Sequence, residues 1–295
     1  MRTLKLCMLL LTLGCAGMLM AASVAELQRN ANAGNAQAQY ELGIKYYYGE
    51  EVGKNTVTAR TWLEKAANQG LTEAEYVMGY LYRYGEDLPH DDNIAAGWYR
   101  KAATKGHAKA QGELAYMYYK GEGVEKNYET SASWYLKSAE AGVAFSQHSI
   151  GYMYMNGEGV EKDYGKAIYW FRKSVAQGYE NSKKHLAGLL FDGEGGQEAY
   201  PEAFKLLQEL LEKDGENDEY QYLLAIMYLE GKGVAANYPL AAYWMKKSAE
   251  QDHFDAQYEL AHMYYNGIGV KKDSTMGDYW YGLAEENEYY WYYGW

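Results

Sequence analysis

Glycine and tryptophan recur along this chain at a nearly fixed step, and that beat constrains the fold more than any other feature. The glycines that open a Gly-x-x-Val-like turn are Gly49, Gly85, Gly121, Gly157, Gly193, Gly231 and Gly267, spaced by 36 residues except for one interval of 38. Thirteen residues after each stands Trp62, Trp98, Trp134, Trp170, Leu206, Trp244 and Trp280. Three residues before each stands Tyr46, Tyr82, Tyr118, Tyr154, Leu190, Tyr228 and Tyr264. Both patterns fail only in the fifth unit, which also carries the two-residue insertion. A period of this length belongs to a supersecondary unit that cannot bury its apolar face alone and needs neighbours stacked on it.

Within a unit the apolar spacing is helical. Ala38, Leu42, Gly43 and Tyr46 share one face of a first helix. The Gly43 position is always small (Gly79, Ala115, Gly151, Ala187, Ala225, Ala261), as a close helix crossing demands. Ala59, Trp62, Leu63, Ala66 and Ala67 form the stripe of a second helix packed on one side. The turn glycines are placed to take positive φ and stop the first helix; Gly70, Gly106, Gly142 and Gly178 end the second, with Asp252 replacing glycine once. The predicted fold class is therefore all-α: a right-handed α/α superhelical solenoid of seven ~36-residue helix-turn-helix repeats. The repeats span 35–70, 71–106, 107–142, 143–178, 179–216, 217–252 and 253–288. Residues 23–34 form a capping half-repeat, with Leu27 matching Leu63 and Gly34 matching Gly70, and 289–295 form an aromatic C-terminal cap. Trp62, Trp98, Trp134, Trp170, Trp244 and Trp280 are expected to be structural core.

The motif Ala-x-Tyr-x-Leu-Gly-x-x-Tyr-x-x-Gly-x-Gly-Val, then Ala-x-x-Trp-x-x-Lys-Ala-Ala-x-x-Gly, resembles the Sel-1-like repeat, a relative of the tetratricopeptide repeat. Tyr116 to Val124 and Trp134 to Ala139 show much of it in one stretch, and the resemblance covers roughly residues 35–288. It implies a non-catalytic fold whose concave surface holds other proteins. Exported bacterial members resemble host-factor binders, including binders of secretory immunoglobulin, envelope or exopolysaccharide assembly factors, signalling regulators and periplasmic immunity proteins against secreted toxins. One branch pairs two cysteines in every repeat and is linked to penicillin binding; the repeats of this chain have no cysteine.

The N-terminus reads as an export signal. Arg2 and Lys5 precede the apolar run Leu6 to Leu13, followed by the small residues Ala21, Ala22, Ser23, Val24 and Ala25. Residues 1–22 are the expected signal peptide, cut after Ala22 or Ala25, with periplasmic, secreted or surface location. An uncleaved anchor and lipidation at Cys15 are the alternatives. Cys7 and Cys15 both lie in this segment, so the mature chain would hold no disulfide and no thiolate. The whole chain of 295 residues carries 28 Lys+Arg against 40 Asp+Glu, a net charge of −12 that becomes −14 once Arg2 and Lys5 are removed. This acidity disfavours nucleic acid, which needs a cationic surface, and favours a basic protein partner.

No catalytic constellation stands out. His90, His107, His148, His185, His253 and His262 form no metal-binding helical pair. Asp214 to Glu219 is acidic but lacks the glycine placement of a calcium loop. The Gly-x-Gly elements follow no strand and recur every period, and Glu285 and Glu286 point to different helix faces. No enzyme activity, cofactor or metal is expected, and no membrane span after cleavage. The chain is expected to be a monomer.

If first helices line an inner groove, the positions five, two and one before the turn glycine face it. They supply Tyr80, Tyr116 and Tyr152; Tyr47, Arg83, Tyr119, Met155 and Tyr265; and Tyr48 and Tyr84. Rigid amphipathic rings with an arginine have the composition of a binding hot spot. The competing reading is that these rings pack between neighbouring first helices.

Overall fold

A computed structural model describes residues 23–85 and 89–293, excepting the side chains from 287 onward. The proposed signal segment 1–22 lies outside the described residues. The described chain is helical with no strand. Helix α1 (Val24–Asn32) is followed by seven pairs. They are α2 (Ala36–Tyr48) with α3 (Thr56–Asn68), α4 (Thr72–Tyr84) with α5 (Asp92–Thr104), α6 (Ala108–Lys120) with α7 (Tyr128–Glu140), and α8 (Ala144–Asn156) with α9 (Tyr164–Ala176). Then come α10 (Asn181–Phe191) with α11 (Tyr200–Lys213), α12 (Asp218–Glu230) with α13 (Tyr238–Ala249), and α14 (Phe254–Asn266) with α15 (Ser274–Tyr293). This is an all-α solenoid of helix-turn-helix repeats. The chain divides into two compact units. The first runs through Met117 and takes in Gly121–Glu125; the second comprises Tyr118–Lys120 and everything from Lys126 on.

Local chemistry explains where each helix starts and stops. Asn55, Asp91, Asn127, Asp163, Asn237 and Asp273 accept a hydrogen bond from the backbone three residues on, opening α3, α5, α7, α9, α13 and α15. The fifth repeat has Ala199 at this position, and neither α10 nor α11 has a side-chain cap. Gly49, Gly121, Gly157, Gly231 and Gly267 close their first helices in the left-handed region, as the spacing predicts. Gly85 departs from that expectation: its φ is −66, and its carbonyl accepts from the His90 ring Nε2, 2.9 Å away. Repeat 2 has Leu88 and Pro89 where repeat 1 has Val52 and Gly53 and repeat 3 has Val124 and Glu125.

Second helices end on Gly70, Gly106, Gly142, Gly178 and Asp252, all at positive φ. One period later stands Glu288, and α15 continues to Tyr293, 20 residues in all. The backbone of 289–293 thus extends this helix, whereas the sequence reading has the segment folding over the last pair.

The small position works as the spacing requires. A Cβ on Gly79 would sit 2.6 Å from the Tyr99 ring, and one on Gly43 2.7 Å from Leu63 Cγ. The tryptophans are less uniform than expected. Trp98, Trp170 and Trp280 are buried, while Trp62, Trp134 and Trp244 are half-buried. Lys65 and Lys137 lie over the rings of Trp62 and Trp134 at 4.2 and 4.3 Å. In the first six repeats the deepest position is the next residue: Leu63, Tyr99, Tyr135, Phe171, Leu207 and Met245 are all sealed, whereas in the seventh Trp280 is buried and Tyr281 exposed. One residue turns a helix by about 100°, enough to trade a flank for the centre of the face.

Candidate functional site

In the first unit the predicted residues gather on α2, α4 and α6. Tyr47 and Tyr48 meet edge to face at 5.1 Å, and Tyr80 and Tyr84 lie 5.2 Å apart. The Arg83 guanidinium lies 5.2 Å from the rings of both Tyr84 and Tyr116. Tyr84 is 42% exposed; Tyr48, Tyr80 and Tyr116 are half-buried. Tyr47 also packs on the cluster of Leu63, Met78, Leu81 and Trp98, so packing between repeats and surface display are combined in one patch.

Arg83 organises this patch from beneath. Its side chain is buried; Nε donates to Tyr84 Oη at 2.6 Å, Nη2 to Glu122, and Nη1 lies 3.6 Å from Asp92. Tyr84 in turn donates to Glu113 at 3.2 Å. Burial works against the guanidinium charge, but the bonds to Tyr84 and Glu122 outweigh it and raise the Arg83 pKa. Burial, with the charge of Glu113, pushes the Tyr84 phenol up to about 12. Burial also raises the Glu113 carboxyl, against the pull of Arg83 and the Tyr84 hydrogen bond.

In the second unit the candidates are engaged differently. Tyr119 donates to Glu158 at 2.8 Å. Tyr152 and Met155 pack on the cluster of Ile168, Phe171 and Leu190, and Tyr152 meets the His185 ring at 5.7 Å. Tyr265 stands apart in the last repeat and donates to Asp278 of its own pair at 2.7 Å.

The position two before the turn glycine therefore serves as a seam. Its side chain meets the residue just after the turn glycine of the next repeat: Arg83 with Glu122, Tyr119 with Glu158, and Phe191 under Lys232 at 5.0 Å. Leu229 and Ile268, at the corresponding places, both close on the apolar cluster of repeats 6 and 7. Ion pair, phenol–carboxylate hydrogen bond, cation–π contact and apolar contact replace one another at one structural place.

A family model described as the Sel1 repeat matches residues 36–71, 72–107, 108–143, 144–179, 185–214, 218–253 and 254–289. The chain belongs to the Sel1 repeat family. Sel1 repeat proteins are protein-interaction scaffolds, generally without enzymatic activity. No curated protein matches the sequence. Among solved structures the chain is similar to c5321, described as a protective antigen of uropathogenic Escherichia coli with an SLR fold: 34% identity, TM-score 0.66, covering 91% of this chain and 58% of that one. It is also similar to a Sel1 repeat protein from Oxalobacter formigenes: 30% identity, TM-score 0.55, covering 89% of this chain and 75% of that one. This chain thus spans little more than half of c5321. An immunity protein of Pseudomonas aeruginosa, Pa5087, matches at 20% identity with a TM-score of 0.34 over 74% of this chain and 82% of that one, too remote to bear on function.

The Sel1 repeats also hold a set of residues that sequence reasoning missed. The amides of Gln39, Gln111, Gln147 and Gln257 donate to the carbonyls of Ala31, Ala103, Ala139 and Ala249 at 3.0–3.1 Å, tying each first helix to the preceding second helix. Gln69, Gln177 and Gln251 extend this by donating to Gln39, Gln147 and Gln221. In repeat 2 the rung is Glu75, buried and paired with Lys105 at 2.7 Å. The signal was present in the sequence as a polar residue recurring at the family period. Four of the histidines act as ring partners between repeats: His107 stacks on Tyr76 at 4.5 Å, His253 on Tyr222 at 4.7 Å and His185 on Phe171 at 5.5 Å, and His148 meets Tyr179 at 5.3 Å. Among the described residues no group of three or more His, Cys, Asp or Glu is arranged to hold a metal, and no helix is long and apolar enough to cross a membrane.

Proposed function

We propose that this Sel1 repeat protein is an exported, non-catalytic scaffold that holds a protein partner on the tyrosine face of its first unit. The observation that carries the reading is the patch of Tyr48, Tyr80, Tyr84 and Tyr116, rings left partly open to solvent over a buried Arg83. Aromatic side chains fixed in this way offer contact area at low entropic cost. The non-catalytic part rests on where reactive pairs sit. Ser182 Oγ lies 3.1 Å from His148 Nδ1, but the serine is sealed in the core and bonded to Ser174.

Export rests on the basic, apolar and small-residue segments of residues 1–25. The likeness to c5321, a protective antigen, favours display or release outside the cell over a purely periplasmic location. Protease treatment of intact cells separates the two. The binding face is tested by affinity capture from the native source, comparing the full chain with a Tyr48→Ala/Tyr80→Ala/Tyr116→Ala variant that retains its helical circular dichroism. Loss of the captured protein is expected, since central rings contribute about 2 kcal/mol or more each. Undiminished capture by the variant would remove this face from the function.

A further inference from the structure

The first unit leaves one polar arrangement that neither packing nor the Arg83 seam accounts for. Glu113, half-buried on α6, accepts the Tyr84 hydroxyl at 3.2 Å and is bonded to no cation among the described residues. Beneath it the Tyr99 side chain is sealed from solvent, and its hydroxyl has no hydrogen-bond partner among the described residues. Glu113 is the charge that acts most strongly on that hydroxyl, ahead of Tyr76 and Tyr84. A stranded hydroxyl in a repeat core is something the fold does not need. The same position holds Leu63, Tyr135, Phe171, Leu207 and Met245 elsewhere, each sealed, and of the two tyrosines only Tyr99 leaves its hydroxyl buried without a partner among the described residues.

The local charge points to what is absent. Arg83 is spent on Glu122, Asp92 and Tyr84. Its single positive charge faces three carboxylates, Glu113, Glu122 and Asp92, so the spot keeps a surplus of two negative charges. Two acceptors, a half-buried carboxylate and a buried phenol oxygen, thus lie beside tyrosine rings. Aromatic faces, carboxylate and a hydroxyl acceptor together suit an ammonium or guanidinium group. A carboxylate would leave the acceptors unmet, and a neutral side chain would leave the charge unbalanced.

We infer that Glu113, with the Tyr99 and Tyr84 hydroxyls, forms a subsite for a cationic side chain, a lysine or arginine of the partner protein. The inference rests on the binding face proposed above and adds the chemistry of what that face selects. The Tyr84 hydroxyl is the part that must move: it now donates to Glu113 and can turn aside as the cation takes its place.

The test uses the full chain and small probes. Backbone amide shifts are followed by NMR during titration with Nα-acetyl-lysine methylamide and Nα-acetyl-arginine methylamide, with Nα-acetyl-citrulline methylamide as the uncharged isostere. Saturable shifts around 97–101 and 111–115 are expected with the cations, at least fivefold stronger than with citrulline. Glu113→Gln should weaken the cations at least fivefold and Tyr99→Phe about twofold, whereas Glu41→Gln, one helix pair away on an exposed site, should change nothing. Equal response to charged and uncharged probes, or full cation binding by Glu113→Gln, overturns the subsite. The captured partner then separates the two readings. If the tyrosine variant loses it but Glu113→Gln binds as wild type does, the face stands and the subsite falls. If the tyrosine variant keeps it while the probes still report Glu113, the subsite stands without the proposed face. A loss of at least tenfold in partner affinity for Glu113→Gln supports both.

Discussion

Repeat 2 in the first unit and repeat 4 in the second solve the same packing problem with different chemistry. After the repeat tryptophan the first unit places Tyr99 and the second Phe171, both sealed, over Gly79 and Gly151 respectively. Two residues before the turn glycine stand Arg83, in an ion pair, and Met155, on an apolar cluster. The rung between repeats is Glu75 with Lys105 in one and Gln147 with Gln177 in the other. The fold asks only for a small residue at the crossing and a given volume above it. Charge is optional at every one of these places. That repeat 2 carries charge there, and repeat 4 carries apolar groups and neutral amides, is therefore free to reflect a use beyond folding.

The largest effects should be blind to this difference. Tyr99→Ala and Phe171→Ala each remove a sealed ring, and each should cost about 3–5 kcal/mol in urea unfolding. A cost for Tyr99→Ala far below that of Phe171→Ala would show that the first unit does not depend on its core in the same way. Smaller, and confined to the first unit, is the loss of the seam. Arg83→Met leaves Glu122 and Asp92 beside a buried apolar group, for about 2 kcal/mol, less than a fully buried pair because both carboxylates touch solvent. Adding Glu122→Gln should return part of that loss in a double-mutant cycle. Strict additivity would mean that the pair contributes nothing.

Much of the fold was legible in the sequence because it depends on near neighbours. The glycines closing α2, α6, α8, α12 and α14 and the capping residues act within about one turn of their own position, and the small residue at each crossing meets the second helix of its own repeat, as Gly79 meets Tyr99. The site was half legible. Spacing placed Tyr47, Arg83 and Tyr119 on one stripe, but it does not say that residue 122 waits for Arg83 or residue 158 for Tyr119, each 39 positions ahead. The glutamine rung escaped for a related reason: a polar residue on a helix reads as solvated until the carbonyl it reaches is known. Depth within the second helix was misjudged by one residue, because the next repeat covers Tyr135 more fully than Trp134, and that cover is invisible from one helix alone.

Acid should weaken the second unit more than the first. Burial, with His185 and Lys184 adding, pushes His148 down to about 4, and His185 is lowered by burial and Lys184. The groups packed on His148 are His185, Ser182, Phe171 and Tyr179, with no carboxylate among them. An unfolded imidazole titrates near 6.5. Between that value and about 4 the unfolded chain binds more protons than the folded one, so stability falls as pH is lowered through this window and is level above it. Allowing for solvent screening at half-buried rings, the loss should be about 1–2 kcal/mol. His107 in the first unit is also lowered by burial, but Glu73 pulls the other way. Urea unfolding at neutral and acidic pH should therefore flatten in His148→Phe and keep its slope in His107→Phe. The opposite pattern would place the acid sensitivity in the first unit.

The smallest predicted effect is the sharpest, because its sign differs between the units. Tyr99→Phe deletes a hydroxyl that is buried without a partner, and should leave stability unchanged or raise it by about 1 kcal/mol. Phe171→Tyr adds a hydroxyl near His148 and His185, whose rings lie 5.7 and 5.5 Å from the Phe171 ring. It should cost about 1 kcal/mol, since the new group competes for space in a filled cluster and only an imidazole nitrogen is at hand to meet it. If Tyr99→Phe were instead clearly destabilising, the hydroxyl would have a bonded partner in solution, and the repeat core would account for its presence. A gain in stability joined to a loss of cation binding would mean that the first unit carries this tyrosine at a cost to folding, which a purely structural residue has no reason to do.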